Sequence, residues 1–163
     1  MNFLALDFET ANYYPDSACA LGLVRVEDHK IVEQASFLIR PPYKDFVFTY
    51  IHGITWEDVA QQPDFSQLWK NIEPFFDHID FAVAHNASFD SNVLHACCTR
   101  HGLVPPPVDF QCTMRLCRKV FGLYPTNLPA VCRNFNIELR HHDALSDTLA
   151  CAKIMMEIIK KMK

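Results

Sequence analysis

Acidic residues stand where an apolar strand would be expected to continue. Asp7 and Glu9 close the most apolar stretch of the chain, residues 2–8. A spacing of two puts both carboxylates on one face of a strand. Two like charges at the end of a buried strand are costly unless a cation lies between them. Hard oxygen ligands select magnesium or manganese for that role. The competing reading is a strand end that emerges into solvent with two hydrated acids. Asp90 follows the apolar run Phe81-Ala82-Val83-Ala84, at the start of an expected helix. An acid there also suits the positive end of a helix dipole. Asp147 falls in the first turn of the last expected helix, with His142 five residues before it. Asp143 reads as the N-cap of that helix.

These four carboxylates come from three elements, each at a strand end or a helix start. Open α/β sheets place their ligand crevice at such ends. Four converging acids can hold two divalent metal ions about 3.5–4 Å apart, one serving the attacking water and one the leaving oxygen of a phosphodiester. His142, an imidazole titrating near neutrality, is the candidate for taking the proton from water.

A sheet must hold these ends side by side, and the chain supplies one. Residues 2–8, 18–26 and 31–39 read as strands, the last two joined as a hairpin through Glu27-Asp28-His29-Lys30. Arg40-Pro41-Pro42 ends the third, because proline cannot donate to a ladder. A loop is expected to about Thr55, then helices over 56–61 and 65–77 and a strand over 81–84. Residues 87–101 read as a helix stopped by Gly102, and Pro105-Pro106-Pro107 as an extended connection to a strand over 108–111. Helices follow over 113–121, 128–135 and 144–162. In the last of these, Leu145, Leu149, Ala152, Met156 and Ile159 step by four and three, which predicts one buried stripe. Three strands followed by alternating strands and helices predict an α/β fold with a mixed five-stranded sheet flanked by helices, in a single domain over 1–163.

Composition agrees with that reading. A chain of 163 residues, half of them hydrophobic, fits one domain with a sizeable core and no need of disulfides. Seven scattered cysteines without a C-x-x-C pair read as reduced thiols of a cytoplasmic protein, and no tight ligand spacing supports zinc. The N-terminus lacks the positive n-region of a signal peptide, and no run approaches the ~18 apolar residues of a membrane helix. A net charge of -4 argues against coating nucleic acid by bulk charge. Charge is uneven, however. Between Phe110 and His142, five basic residues (Arg115, Arg118, Lys119, Arg133, Arg140) face one acid, Glu138. That stretch reads either as a track for a phosphate backbone or as a solvated helical face. Two divalent ions on the four acids would cancel the net charge, so binding to nucleic acid is expected to depend on metal.

Three segments resemble, in order, the motifs of the DnaQ-like (DEDD) 3′→5′ exonucleases, whose fold is RNase H-like and which include the proofreading epsilon subunit of the bacterial replicative polymerase. They are Asp7-Phe8-Glu9-Thr10, His85 through Asp90, and His142 through Asp147. The position four before the last acid is Asp143, not tyrosine, and the position five before it is His142. The resemblance is therefore to the histidine (DEDDh) branch. It implies that Asp7, Glu9, Asp90 and Asp147 bind two Mg2+ or Mn2+ ions and that His142 is the base, with His141 a flanking residue. It also implies a terminal-nucleotide pocket from Phe8, Thr10, Ala11, His52, Gly53, Ile54, His85, Asn86 and Phe89, where packing under the site is the preferred role for Phe89.

The resulting expectation is a metal-dependent enzyme that releases nucleoside monophosphates from the 3′ end of single-stranded DNA. The alternatives are trimming of small RNA or oligoribonucleotides, and a non-catalytic module that docks on a polymerase or repair complex. Sixteen residues follow Asp147, so a freestanding trimming or repair role is expected over one tethered to a polymerase.

Overall fold

The apolar run at the N-terminus becomes the central strand of the sheet. A computed structural model describes residues 1–163. Strand β1 (Asn2–Thr10) pairs antiparallel with β2 (Ala18–Glu27), and β2 pairs antiparallel with β3 (Lys30–Leu38). On its other edge β1 pairs in parallel with β4 (Phe81–Ala84), and β4 with the short β5 (Phe110–Cys112). The order is β3-β2-β1-β4-β5, a mixed five-stranded sheet as expected.

Alternation along β1 assigns its side chains to two cores. Phe3 and Ala5 face α5 (Thr113–Phe121), α6 (Leu128–Phe135) and α7 (Ala144–Met162). Leu4, Leu6 and Phe8 face α3 (Phe65–Ile72) and α4 (Ala87–Arg100). Asp7 and Glu9 continue the first set, so they point to the side that α7 covers.

Several boundaries differ from the sequence reading. The loop before Thr55 contains a helical turn, α1 (Thr49–His52), closed by Gly53 at φ 77°, and α2 is only Trp56–Val59. Pro74 turns the end of the expected 65–77 helix into a 3-10 turn over Glu73–Phe76, because its ring removes a helical donor. The fifth strand covers Phe110–Cys112 rather than 108–111.

The largest difference lies in α7. Its buried residues are Ala144, Asp147, Thr148, Ala150, Cys151, Ala152, Ile154, Met155, Ile158 and Ile159, so Ala152 and Ile159 of the expected stripe are buried as read. Leu145, Leu149 and Met156 are only partly buried, at the margin of the core formed with α5 and α6. The cause is close approach. Gly22 of β2 lies under α7, where a Cβ would collide with the Thr148 hydroxyl and the Ala144 carbonyl. At this end of α7, Ala144 and Thr148 therefore face the sheet, where hydrophobic periodicity does not report them.

Candidate active site

The close approach at Gly22 is what builds the site. Gly22 pairs with Asp7 across the β1–β2 ladder. The α7 helix that rests on it carries Asp147 in its first turn, fixed by Asp143, whose carboxylate accepts the Ser146 N–H as N-cap. Ligand oxygens of Asp7, Glu9 and Asp147 thus lie within 4.8 Å of one another. Asp90 arrives from the opposite face. The β1–β4 pairing ends at Ala5 and Val83, so β1 runs on past its neighbour. The free N–H of Phe8 then donates to Asp90 Oδ1 at 2.9 Å, which draws the first turn of α4 over the end of β1.

Electrostatics show that this cluster suits cations. Burial raises the Asp7 carboxyl well above its usual range, and the charges of Asp90, Glu9 and Asp147 raise it further. Burial, then Asp147 and Asp90, pushes Glu9 up to about 8. Asp90 rises to about 7 through burial, opposed by the Phe8 N–H. Asp147 is raised by burial, against the His142 N–H and the His141 ring. Asp7 Oδ2 is buried without any hydrogen-bond partner. Clustered oxygens, mutual repulsion and an unpartnered buried carboxylate oxygen fit a divalent metal site.

His142 sits at the rim with a left-handed backbone, φ 69°. Its N–H donates to Asp147 Oδ2 at 3.0 Å, which ties its position to the carboxylate cluster. Burial, then the neighbouring His141, lowers its pKa, which keeps the ring an acceptor at neutral pH. His141 is more engaged than a flanking residue. Its Nδ1 lies 3.2 Å from Asp147 Oδ2, and its ring stacks on His142 with centroids 3.7 Å apart. The set His141, His142 and Asp147 could also hold a metal, a grouping that sequence spacing alone left unsupported.

An apolar cavity of about 250 Å³ opens beside His142. Phe8, Glu9, Thr10, His52 and Phe89 line it, together with Phe48 and Ile51. Phe89 is 44% exposed, so it faces the cavity and does not pack beneath the site. Phe48 went unnoticed in the sequence because it lies in the stretch read as loop. His52 is a fixed wall: Nε2 donates to the Thr10 carbonyl at 2.9 Å, and Nδ1 accepts the Ile54 N–H at 3.0 Å. Ile54 lines a second cavity, behind His52 and His142, together with Arg140.

The remaining expected pocket residues lie elsewhere. Ala11 is fully buried, and its carbonyl accepts the N–H groups of Val47 and Phe48, which anchors the pocket's outer loop. Gly53 caps α1. His85 bridges the Thr113 hydroxyl and the Thr126 carbonyl, each at 2.8 Å. Asn86 is the left-handed residue at which α4 begins, φ 82°. Of the basic stretch, Arg140 reaches a cavity beside the site, whereas Arg118 is engaged by the Thr126 hydroxyl at 2.7 Å. All seven cysteines are free, and no helix is long and apolar enough to cross a membrane.

Comparison with known proteins agrees with this geometry. A sequence model of the exonuclease (RNase_T) family matches residues 4–155. Exodeoxyribonuclease 10 of Escherichia coli (strain K12) is 33% identical over 148 residues, covering 85% of this chain and 60% of that protein. A DNA polymerase III PolC-type of Thermotoga petrophila is 28% identical over 168 residues, covering 99% of this chain but 12% of that one. The chain thus spans 60% and 12% of the length of these two relatives. Among solved structures, exonuclease X in complex with 5′ overhanging duplex DNA superposes with a TM-score of 0.78 at 27% identity, covering 97% of this chain and 91% of that one.

Proposed function

The chain belongs to the DnaQ-like (DEDDh) exonuclease family, and from that premise we propose that it removes nucleotides from the 3′ end of single-stranded DNA. The observation that carries this reading is the meeting of Asp7, Glu9 and Asp147 within 4.8 Å beside an apolar pocket flanked by His142. We assign Asp7, Glu9, Asp90 and Asp147 as the residues that hold two Mg2+ or Mn2+ ions. When bound, the ions supply Lewis acidity to the reacting phosphodiester and the attacking water.

The chain's own residues do the rest. Phe89, Phe48 and Ile51 offer apolar surface on which a terminal base of any sequence stacks. His52, braced at both ring nitrogens, keeps that wall from yielding. The unprotonated His142 ring accepts the proton of water as the new phosphorus–oxygen bond forms, while the bond from phosphorus to the 3′ oxygen of the preceding nucleotide breaks and that oxygen leaves protonated by solvent. The His142 N–H bond to Asp147 couples the base to the metal-ligand set.

DNA is favoured over RNA because a 33% identical relative is an exodeoxyribonuclease and a 27% identical structure holds DNA. Against the freestanding role expected from the sequence, the PolC-type relatives support an association with a DNA polymerase. With magnesium, a 5′-labelled oligonucleotide should shorten in single-nucleotide steps, and Asp7→Ala or Asp147→Ala should abolish the ladder. A ladder that persists in Asp7→Ala would remove the metal assignment.

A further inference from the structure

A cavity of about 820 Å³ lies outside the site just described. From α4 it is lined by Asn92, His95, Ala96, Thr99 and Arg100, and from the loop after β1 by Tyr14. Phe89, Asn92, Ala96 and Thr99 step by three, four and three, so they share one helical face. That face starts in the apolar pocket and runs about 15 Å along α4 over ten residues. The two cavities are therefore successive stations on one surface.

Tyr14 is the conspicuous group at the far station. It is 59% exposed, yet its ring is held in place. It stacks on Tyr43 with centroids 4.9 Å apart and planes 17° from parallel. Tyr43 is itself fixed, donating its hydroxyl to Asp16 at 2.8 Å and lying under the Arg100 guanidinium at 5.4 Å. Arg100 in turn pairs with Asp16 at 3.1 Å. The Tyr14 N–H donates to the Asn12 side chain at 2.9 Å, which sets the turn. An exposed ring with its geometry fixed in advance loses little freedom when a second ring stacks on it.

We infer that Tyr14 is a stacking subsite for a base of the nucleic-acid strand, upstream on its 5′ side of the nucleotide held at Phe89. The inference rests on the exonuclease reading. With the 3′ end seated in the apolar pocket, the rest of the strand must leave over a neighbouring surface. The α4 face leads from that pocket to the next aromatic platform. The only strong charges at the platform, Arg100 and Asp16, neutralise each other. The subsite therefore acts through stacking, with a contribution that salt leaves unchanged, unlike a phosphate contact.

The test is a length series of oligothymidylates, from two to twelve nucleotides, digested with magnesium. In the wild type KM falls as the oligomer grows. Tyr14→Ala should raise KM for the twelve-mer by about 5- to 150-fold, the range for loss of one stacked base, and leave the dinucleotide's KM unchanged. Tyr14→Phe should restore the wild-type value, and the ratio of variant to wild type should be the same at low and high salt. An unchanged twelve-mer KM in an active Tyr14→Ala protein overturns the subsite alone. Loss that is equal for dinucleotide and twelve-mer overturns it too, by showing a general structural effect. A wild type that digests no oligomer overturns the exonuclease reading beneath it.

Discussion

At the scale of single residues, the site's carboxylates carry a penalty that a bound divalent ion would relieve. Glu9 is pushed up to about 8 and Asp90 to about 7. Between about pH 4, where unfolded carboxyls release their protons, and about pH 8, the folded chain retains protons that the unfolded chain has lost. Metal-free stability should therefore fall as pH rises through that window. Thermal unfolding in EDTA should give a lower Tm at pH 8 than at pH 5, and magnesium should close the gap. Equal values in EDTA would contradict these raised pKa values. Asp7→Asn removes one repelling charge and should stabilise the metal-free protein by about 0.5–2 kcal/mol while abolishing hydrolysis. For His142, the positive φ makes asparagine the better test than alanine, since asparagine tolerates that backbone. His142→Asn should lower kcat by about 10²–10⁴-fold with magnesium affinity little changed, measured by titrating each against metal. Near-normal turnover would remove the base assignment.

At the scale of elements, the site depends on how closely α7 lies on the sheet. Gly22→Ala places a methyl group against the Thr148 hydroxyl and the Ala144 carbonyl. The helix must lift, at about 1–3 kcal/mol, and Asp147 lifts with it. Denaturant unfolding should report the lost stability, and magnesium titration of activity should report a weakened site. Unaltered activity would show that α7 reseats without moving Asp147. The parallel pair of β1 and β4 contributes differently. Because β4 is shorter, the N–H of Phe8 is left to Asp90, so a difference in strand length becomes a ligand position.

At the scale of the whole molecule, the net charge of -4 joins charge to function. Acids gathered at one site repel a polyanion, and two divalent ions would cancel that local charge. Affinity for a twelve-nucleotide DNA strand should be weak in EDTA and rise with the metal bound, measured by fluorescence anisotropy on Asp147→Ala beside the wild type. A wild-type affinity indifferent to metal would assign strand binding to surfaces away from the carboxylates. Matched DNA and RNA oligomers digested in parallel should show faster loss of DNA. Faster loss of RNA would move the chain to the ribonucleotide branch of the same chemistry.

The sequence by itself determined the acidic motifs of the candidate site and the outline of the fold. Asp7-x-Glu9 at the end of an apolar strand, and the spacing of His142 to Asp147, are local patterns, and local patterns survive in one dimension. The β2–β3 hairpin could be read for the same reason, from a short polar turn between two apolar runs. The tertiary structure decided what depends on contact between distant segments. It set Ala144, Asp147 and Thr148 on the buried side at the start of α7, because close packing at Gly22 leaves no room for larger side chains there. It made His85 a brace between distant threonines, and placed Phe48 and Phe89 in the pocket. It also set Tyr14 on Tyr43, 29 positions apart in sequence, where only the folded backbone makes them neighbours.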